Sequence, residues 1–431
     1  MSETPAKNAK QPAIVQKLLL RTSLLLLIIA GLVLGFQWLK GTGGDIDLPA
    51  NADTKGMILA IQQTDNGTQV VMIKPDGTIV HSPDYKTGAS DREPVWRPDG
   101  NRAFFISDRK DGEYNVFRWN PASDRVEARS TGKTAKSNLA FAEPTAAGAN
   151  ETGILTAGGR VQEFHPKEGA LRQILPPTGK DIPDKSEESQ GQMDMVYQRF
   201  GSSFKSARWS TNKRFIIAVM RRDEGEILLI QDTEPMQDPV TKQVALPPPM
   251  PIVAAERIEF DVCPTTGEVV FVVQNFQYLS SSQIPPEMIK NGVATRPFTH
   301  AVGIAYPGKP LEDSQKPIII SPDDKLAFGK PAISPDGSTV LLTTGNYSGG
   351  IYHATSLVSV PKAPEGGKSG TRIMDGEIDD VGWGPNSQVL IFTKREGGKR
   401  AVFTMNRDGS DLKNLTGTKG NFFSPRLSPQ Q

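Results

Sequence analysis

The 431-residue chain has 23% charged residues and a formal net charge of +1, which gives it no global electrostatic preference for nucleic acid. Its 37% hydrophobic content, with 41 Gly and 34 Pro, fits a folded β protein with many turns and argues against disorder. The one cysteine, Cys263, excludes an intrachain disulfide and reads as a small buried apolar residue at the end of a strand, the place Ser334 holds in its own repeat.

Residues 1–21 form a basic tail with Lys7, Lys10, Lys17 and Arg21. Residues 22–39 follow without a charge, from Thr22 through Leu24-Leu-Leu-Leu to Leu39. These 18 residues are close to the ~20 that span a bilayer as a helix. The excess of Lys before the run, with Asp45, Asp47 and Asp53 after it, predicts a single-pass signal anchor with its N-terminus in the cytoplasm and the rest outside. The competing reading is a cleaved signal peptide. Its small-residue triplet, Ala50-Asn-Ala52, lies well beyond the apolar run, past Trp38 and Lys40. Residues 40–55, rich in Gly, Asp and Ala, read as a flexible tether.

From residue 56 to 431 the chain repeats a pattern of short apolar strands between Pro/Asp/Asn/Gly turns. Glu93-Pro-Val-Trp-Arg-Pro-Asp-Gly leads to Ala103-Phe-Phe-Ile-Ser and Asn115-Val-Phe-Arg-Trp-Asn. Lys330-Pro-Ala-Ile-Ser-Pro-Asp-Gly leads to Val340-Leu-Leu, and Asp380-Val-Gly-Trp-Gly-Pro-Asn leads to Val389-Leu-Ile-Phe-Thr. Such recurrence marks a radial repeat, and continuous apolar runs such as Phe215-Ile-Ile-Ala-Val-Met suit strands buried on both faces. Six inner strands are expected, near Glu93, Asn138, Ser206, Arg257, Gly329 and Asp380. Met57-Ile-Leu-Ala-Ile lacks an inner strand before it, and Asn421-Phe-Phe-Ser-Pro-Arg has nothing after it. Joining the two predicts an all-β, seven-bladed β-propeller whose C-terminal strand closes the first blade. The degenerate turn after Ala142 leaves six or eight blades as alternative counts. Ser82-Pro-Asp and Ser321-Pro-Asp each follow an outer strand and do not open a blade.

Two long insertions interrupt the pattern, residues 176–204 and 275–316. Loops of this length are uncommon unless functional or disordered. Met195, Tyr197, Phe200, Phe276 and Tyr278 lie in them among polar residues and are the candidate partner-binding residues; packing against the propeller is the bland alternative.

No catalytic, cofactor-binding or metal-ligating residue is assigned. The four histidines, His81, His165, His300 and His353, show no metal-ligand spacing. Gly345-Asn-Tyr-Ser-Gly-Gly350 misses the nucleophile-elbow spacing by one residue and reads as a hairpin loop. Asp76-Gly, Asp99-Gly, Asp336-Gly and Asp408-Gly lack calcium-loop spacing and read as turns, because Gly adopts positive φ without steric cost.

The string Trp383-Gly-Pro-Asn, Leu390-Ile-Phe-Thr, Arg395-Glu-Gly, Phe403-Thr-Met-Asn-Arg-Asp-Gly-Ser, Leu415-Thr resembles the repeat of TolB-type propellers, the WD40-like Pro-Asp repeat. Ser107-Asp-Arg109 matches that family's Ser-x-Arg segment, and Lys394-Arg395 approximates it. The resemblance implies an extracytoplasmic, protein-binding scaffold. TolB proteins also carry an N-terminal α/β domain, where only the tether is expected here, so a role in that particular envelope system is not implied. The expected function is therefore a membrane-anchored, non-enzymatic interaction scaffold of the cell envelope, periplasmic or extracellular, with a protein partner and no nucleic acid. The alternatives are a propeller hydrolase or lyase with a site at the channel mouth, and a sugar- or peptide-sensing ectodomain.

Overall fold

The computed structural model describes residues 53–430 except 143–151, 179–180, 183–186, 238–241, 243, 280–283, 285, 291–292, 297, 310–315, 321–325, 349 and 362–369. The expected tail and anchor, and all of the tether up to residue 52, lie outside the described residues. Among the described residues no helix is long and apolar enough to cross a membrane.

Antiparallel sheets follow one another along the chain. In the first, Phe422–Leu427 is the inner strand and Ile58–Gln63, Thr68–Ile73 and Ile79–His81 follow outward. The second runs outward through Asp91–Trp96, Ala103–Ser107, Asn115–Asn120 and Arg125–Ala128; the third through Lys136–Phe141, Gly153–Ala157, Arg160–His165 and Ala170–Leu175. The fourth has seven strands: Ser203–Trp209, Phe215–Arg222, Gly225–Asp232, Met250–Val262, Val269–Gln277, His300–Ala305 and Lys316–Ile320. The fifth is Ala327–Ile333, Thr339–Ser348, Ile351–Pro361 and Thr371–Asp375, and the sixth Ile378–Trp383, Val389–Glu396, Lys399–Asn406 and Lys413–Asn414.

The β-propeller is there, but its blades number six where seven were expected. The cause is Met250–Val262, a 13-residue strand. Its first half pairs with Gly225–Asp232 and its second half with Val269–Gln277, so the outer strand of one unit runs into the inner strand of the next without a turn. The fused sheet folds over at this strand. Phe215, Ile217 and Val219 from one half share an apolar cluster with Val269, Phe271 and Val273 from the other. The sheet around Ala142, read as degenerate, has its four strands in order.

Closure occurs as expected. Ile58 pairs with Leu427 and Ile61 with Phe423. Beyond the strand, Thr54 Oγ1 lies 2.9 Å from Ser428 Oγ and also donates to Gly100 O at 2.9 Å. The core lies in the layers between neighbouring sheets. Leu59, Val70, Phe105 and Trp119 join the first sheet to the second, and Ile58, Val71, Ile391 and Phe422 join the sixth to the first.

The Asp-Gly pairs are turns. Asp336 Oδ1 accepts the Ser338 amide at 2.9 Å, Gly337 holds φ at 69°, and Asp408 repeats the bond on the Ser410 amide at 2.9 Å. Cys263 is buried, and its amide donates to Glu268 O at 2.8 Å just as Ser334 N donates to Thr339 O at 2.8 Å.

Candidate functional site

The inner strands enclose a cavity of about 530 Å³. Their shape follows from a repeated irregularity. The inner-strand register slips between Arg92 and Val95, Ser137 and Ala140, Gly329 and Ala332, and Asp379 and Gly382, and the first sheet slips likewise at Ile61. At each slip one residue other than Gly is left-handed: Glu93 (φ 54°), Asn138 (58°), Lys330 (49°), Asp380 (51°) and Ser424 (50°). Three of these precede a proline, Pro94, Pro331 and Pro425. A bulge strengthens the local twist, leaves a backbone amide without a ladder partner, and re-aims side chains.

At three of the five bulges a carboxylate from the preceding inner strand accepts the left-handed residue's amide. The Asn138 amide donates to the Glu93 carboxylate, Lys330 N to Glu259 Oε2 at 2.8 Å, and Ser424 N to Asp380 Oδ2 at 3.0 Å. Asp261 Oδ2 accepts Ile333 N of the next sheet at 3.0 Å, while Glu226 Oε2 accepts Ile258 N at 2.8 Å within the fourth sheet. Neighbouring sheets are therefore stitched around the cavity by carboxylate-to-amide bonds, each of the stronger charged class.

Enclosure acts on these groups. Burial pushes the Glu93 and Asp261 carboxyls above the ordinary carboxylate range. It pushes Glu259 the same way, but Lys330 and Arg257 outweigh it and hold that carboxyl below its usual value. Burial lowers the Arg208 guanidinium, with the Arg426 charge adding to the effect.

Arg208, Asp261 and Arg426 were not singled out in the sequence. They occupy one register: each stands one residue before the last pair of its inner strand, opposite Ile217, Val270 and Leu59 respectively. All three line the cavity. The next position holds Trp96, Trp209 and Trp383 in three sheets. Trp96 Nε1–H donates to Arg426 O at 2.9 Å and Trp383 Nε1–H to Ala332 O at 3.0 Å, each reaching the preceding inner strand. The buried Trp209 Nε1 has no such partner.

The five candidate partner-binding residues are dispersed. The first insertion carries the helix Glu187–Gln198. Tyr197 is buried under it, its hydroxyl donating to Gln231 Oε1 at 2.6 Å, and so serves to fasten the helix. Phe200 packs partly buried on the same cluster, whereas Met195 is 57% exposed. In the second insertion Phe276 packs on the core and against Tyr278 and Phe298, with ring centroids 5.2 and 4.8 Å apart, and the Tyr278 hydroxyl donates to Thr295 O at 2.9 Å. Among the described residues no group of three or more His, Cys, Asp or Glu is placed to hold a metal ion.

No family profile matches the chain, and no curated protein does. Solved structures of similar fold exist. TolB from Acinetobacter baumannii is 12% identical over 88% of this chain and 68% of its own, with a TM-score of 0.47. An oligogalacturonate lyase in complex with manganese is 8% identical over 84% of this chain and 85% of its own, TM-score 0.48. A eukaryotic initiation factor is 10% identical over 88% of this chain and 99% of its own, TM-score 0.38. A TolB structure, the likeness expected from the repeat, is among those similar to this chain, and a fold by itself does not assign a role.

Proposed function

We propose that this chain is a membrane-anchored, extracytoplasmic propeller that acts by binding a protein partner and not by catalysis. One observation carries the reading: Glu93, Glu259, Asp261 and Asp380, the acidic groups of the cavity wall, each accept a backbone amide from the next inner strand. A carboxylate fixed in this way holds the ring together and is poorly free to swing toward a substrate proton. The anchor, with its preceding Lys residues, supports the location outside the cytoplasm. The partner contact is assigned to the outward side of the helix Glu187–Gln198, where Met195 stands exposed while Tyr197 and Phe200 hold the helix down.

The test is site-specific photo-crosslinking from position 195 of the full-length chain in native membranes. A discrete adduct that disappears with Met195→Ser, at an unchanged melting temperature, is the expected result. Absence of any adduct from position 195, or from the neighbouring exposed positions 191 and 198, would remove the helix from consideration. A second reading, a propeller hydrolase or lyase, is favoured by the raised Asp261 carboxyl at the register of Arg208. It calls for turnover that is lost in Asp261→Asn while partner capture persists.

A further inference from the structure

Arg208 and Arg426 line one cavity at one strand register, and most of their donors are unengaged. Each Nη1 donates to the carbonyl of the residue before it, Ala207 O at 2.8 Å and Pro425 O at 3.0 Å. Arg208 Nη1 also lies 3.5 Å from Asn138 O. Among the described residues neither guanidinium has a carboxylate within the 4.0 Å of an ion pair. A guanidinium offers five N–H groups in a planar fork that matches the two oxygens of a carboxylate or phosphate. Here both forks are held by one nitrogen and leave the rest available.

The cavity wall as a whole carries four carboxylates, Glu93, Glu259, Asp261 and Asp380, against the three cations Arg208, Lys330 and Arg426. Each of the four carboxylates already accepts a backbone amide, and at this register Arg208 and Arg426 face Asp261 alone. The other positions of the register hold Val95, Ala140, Ala332 and Gly382, which contribute no charge. Arg208 is enclosed on the cavity wall, where an unpaired charge is costly and an incoming anion offsets the cost. Beside it the Trp209 indole N–H lacks the carbonyl that caps the equivalent Trp96 and Trp383. Among the three tryptophans of this position, the one without a bonded N–H is the neighbour of Arg208.

We propose that this cavity is a binding site for a small oxyanion-bearing ligand, a carboxylate or phosphate, gripped by the forks of Arg208 and Arg426. The cavity, about 530 Å³, falls in the range of small-molecule sites. The site is separate from the helix that carries Met195, so its fate does not depend on the partner contact.

Fluorotryptophan incorporated into the full-length chain gives five reporters, among them Trp209 and Trp383. Fluorine NMR is recorded while citrate or inorganic phosphate is added, with chloride at matched ionic strength as the control, and Trp209→Phe assigns the signal. The expected result is a saturable shift of the Trp209 signal with citrate or phosphate, with Trp383 unmoved. Arg208→Gln or Arg426→Gln should weaken it about tenfold, as expected for a lost charge-assisted bond, and the double variant should abolish it. A response to citrate alone identifies a carboxylate ligand and a response to phosphate alone a phosphate ligand. If Arg208→Gln fails to melt cooperatively, Arg426→Gln and Arg208→Lys carry the comparison. No saturable shift with either probe, a shift matched by chloride, or a shift that survives the double variant overturns the site.

Discussion

Two junctions of the ring treat the same tryptophan position in opposite ways. Between the first and second sheets an ion pair and a bonded indole tie the layers together. Arg109 pairs with the fully buried Asp91, stacks over Phe105 with its guanidinium carbon 4.8 Å from the ring centre, and donates to Pro83 O at 3.0 Å. Asp91 Oδ2 also accepts Val70 N at 2.9 Å, and Trp96 is tied to Arg426 O. Between the third sheet and the first strands of the fourth, Tyr197 and the inserted helix seal an apolar cluster, yet Trp209 has no bonding partner and Arg208 no ion pair. The tryptophan position of the repeat is thus bonded across to the neighbouring strand in one sheet and left without an acceptor in another. Position in a repeat does not assign a role; the state of its hydrogen bonds does.

The contrast can be broken most severely at the first sheet. Deleting residues 421–431 removes its inner strand and the acceptor of Trp96, and should abolish the cooperative thermal transition followed by circular dichroism. An unchanged transition would mean that the ring does not depend on closure. Next in size, Asp91→Ala leaves Arg109 buried without its partner and should cost about 3–5 kcal/mol in denaturant unfolding. The same assay on Arg208→Ala should give a much smaller loss, because no carboxylate is left behind unpaired.

The tryptophans sharpen the comparison at a smaller scale. Trp96→Phe leaves Arg426 O without its donor and should cost about 1–2 kcal/mol, whereas Trp209→Phe deletes no bond and should be close to neutral. Equal losses would show that indole packing, and not its N–H, sets both values. The smallest effect is on pH. Burial raises the folded-state value of Asp261, so its contribution to stability is present below the unfolded carboxyl range and is lost as pH rises through the raised folded value. Unfolding free energies measured from the acid side toward neutrality should therefore fall less in Asp261→Asn than in the parent chain. Glu259, held low, runs the other way: its contribution is lost as pH falls through its lowered value, so Glu259→Gln should flatten the acid limb instead.

Much of the fold was legible in the sequence, and what was missed has identifiable causes. Met57-Ile-Leu-Ala-Ile and Asn421-Phe-Phe-Ser-Pro-Arg each lack a partner in the repeat, and they pair with one another. The fusion of two units was hidden by Pro247-Pro-Pro-Met-Pro251, a string that reads as a loop because proline cannot donate to a ladder. Pro251 is accommodated where the register slips between Leu228 and Leu229. The cavity wall was harder to see, since each carboxylate and the amide it accepts lie far apart: 45 residues from Glu93 to Asn138, 71 from Glu259 to Lys330, and 44 from Asp380 to Ser424. The recurring Glu93-Pro, Lys330-Pro and Ser424-Pro pairs were its one local trace. For the insertions, aromatic composition alone could not separate Met195, which is exposed, from Tyr197, which is not.

Closure by the Phe422–Leu427 strand has a consequence in time. The bond from Thr54 N to Gln430 Oε1, at 2.9 Å, spans 376 residues. At translation rates of about 5–20 residues per second, roughly 20–75 s separate the appearance of its two ends. Throughout that interval the edge of Ile58–Gln63, destined to be covered, has no strand to pair with, and its apolar residues are open to the same strand in another nascent copy. Growth conditions that slow synthesis should lengthen the exposure and raise the share of chain lost to aggregation, even though the finished ring is unaltered.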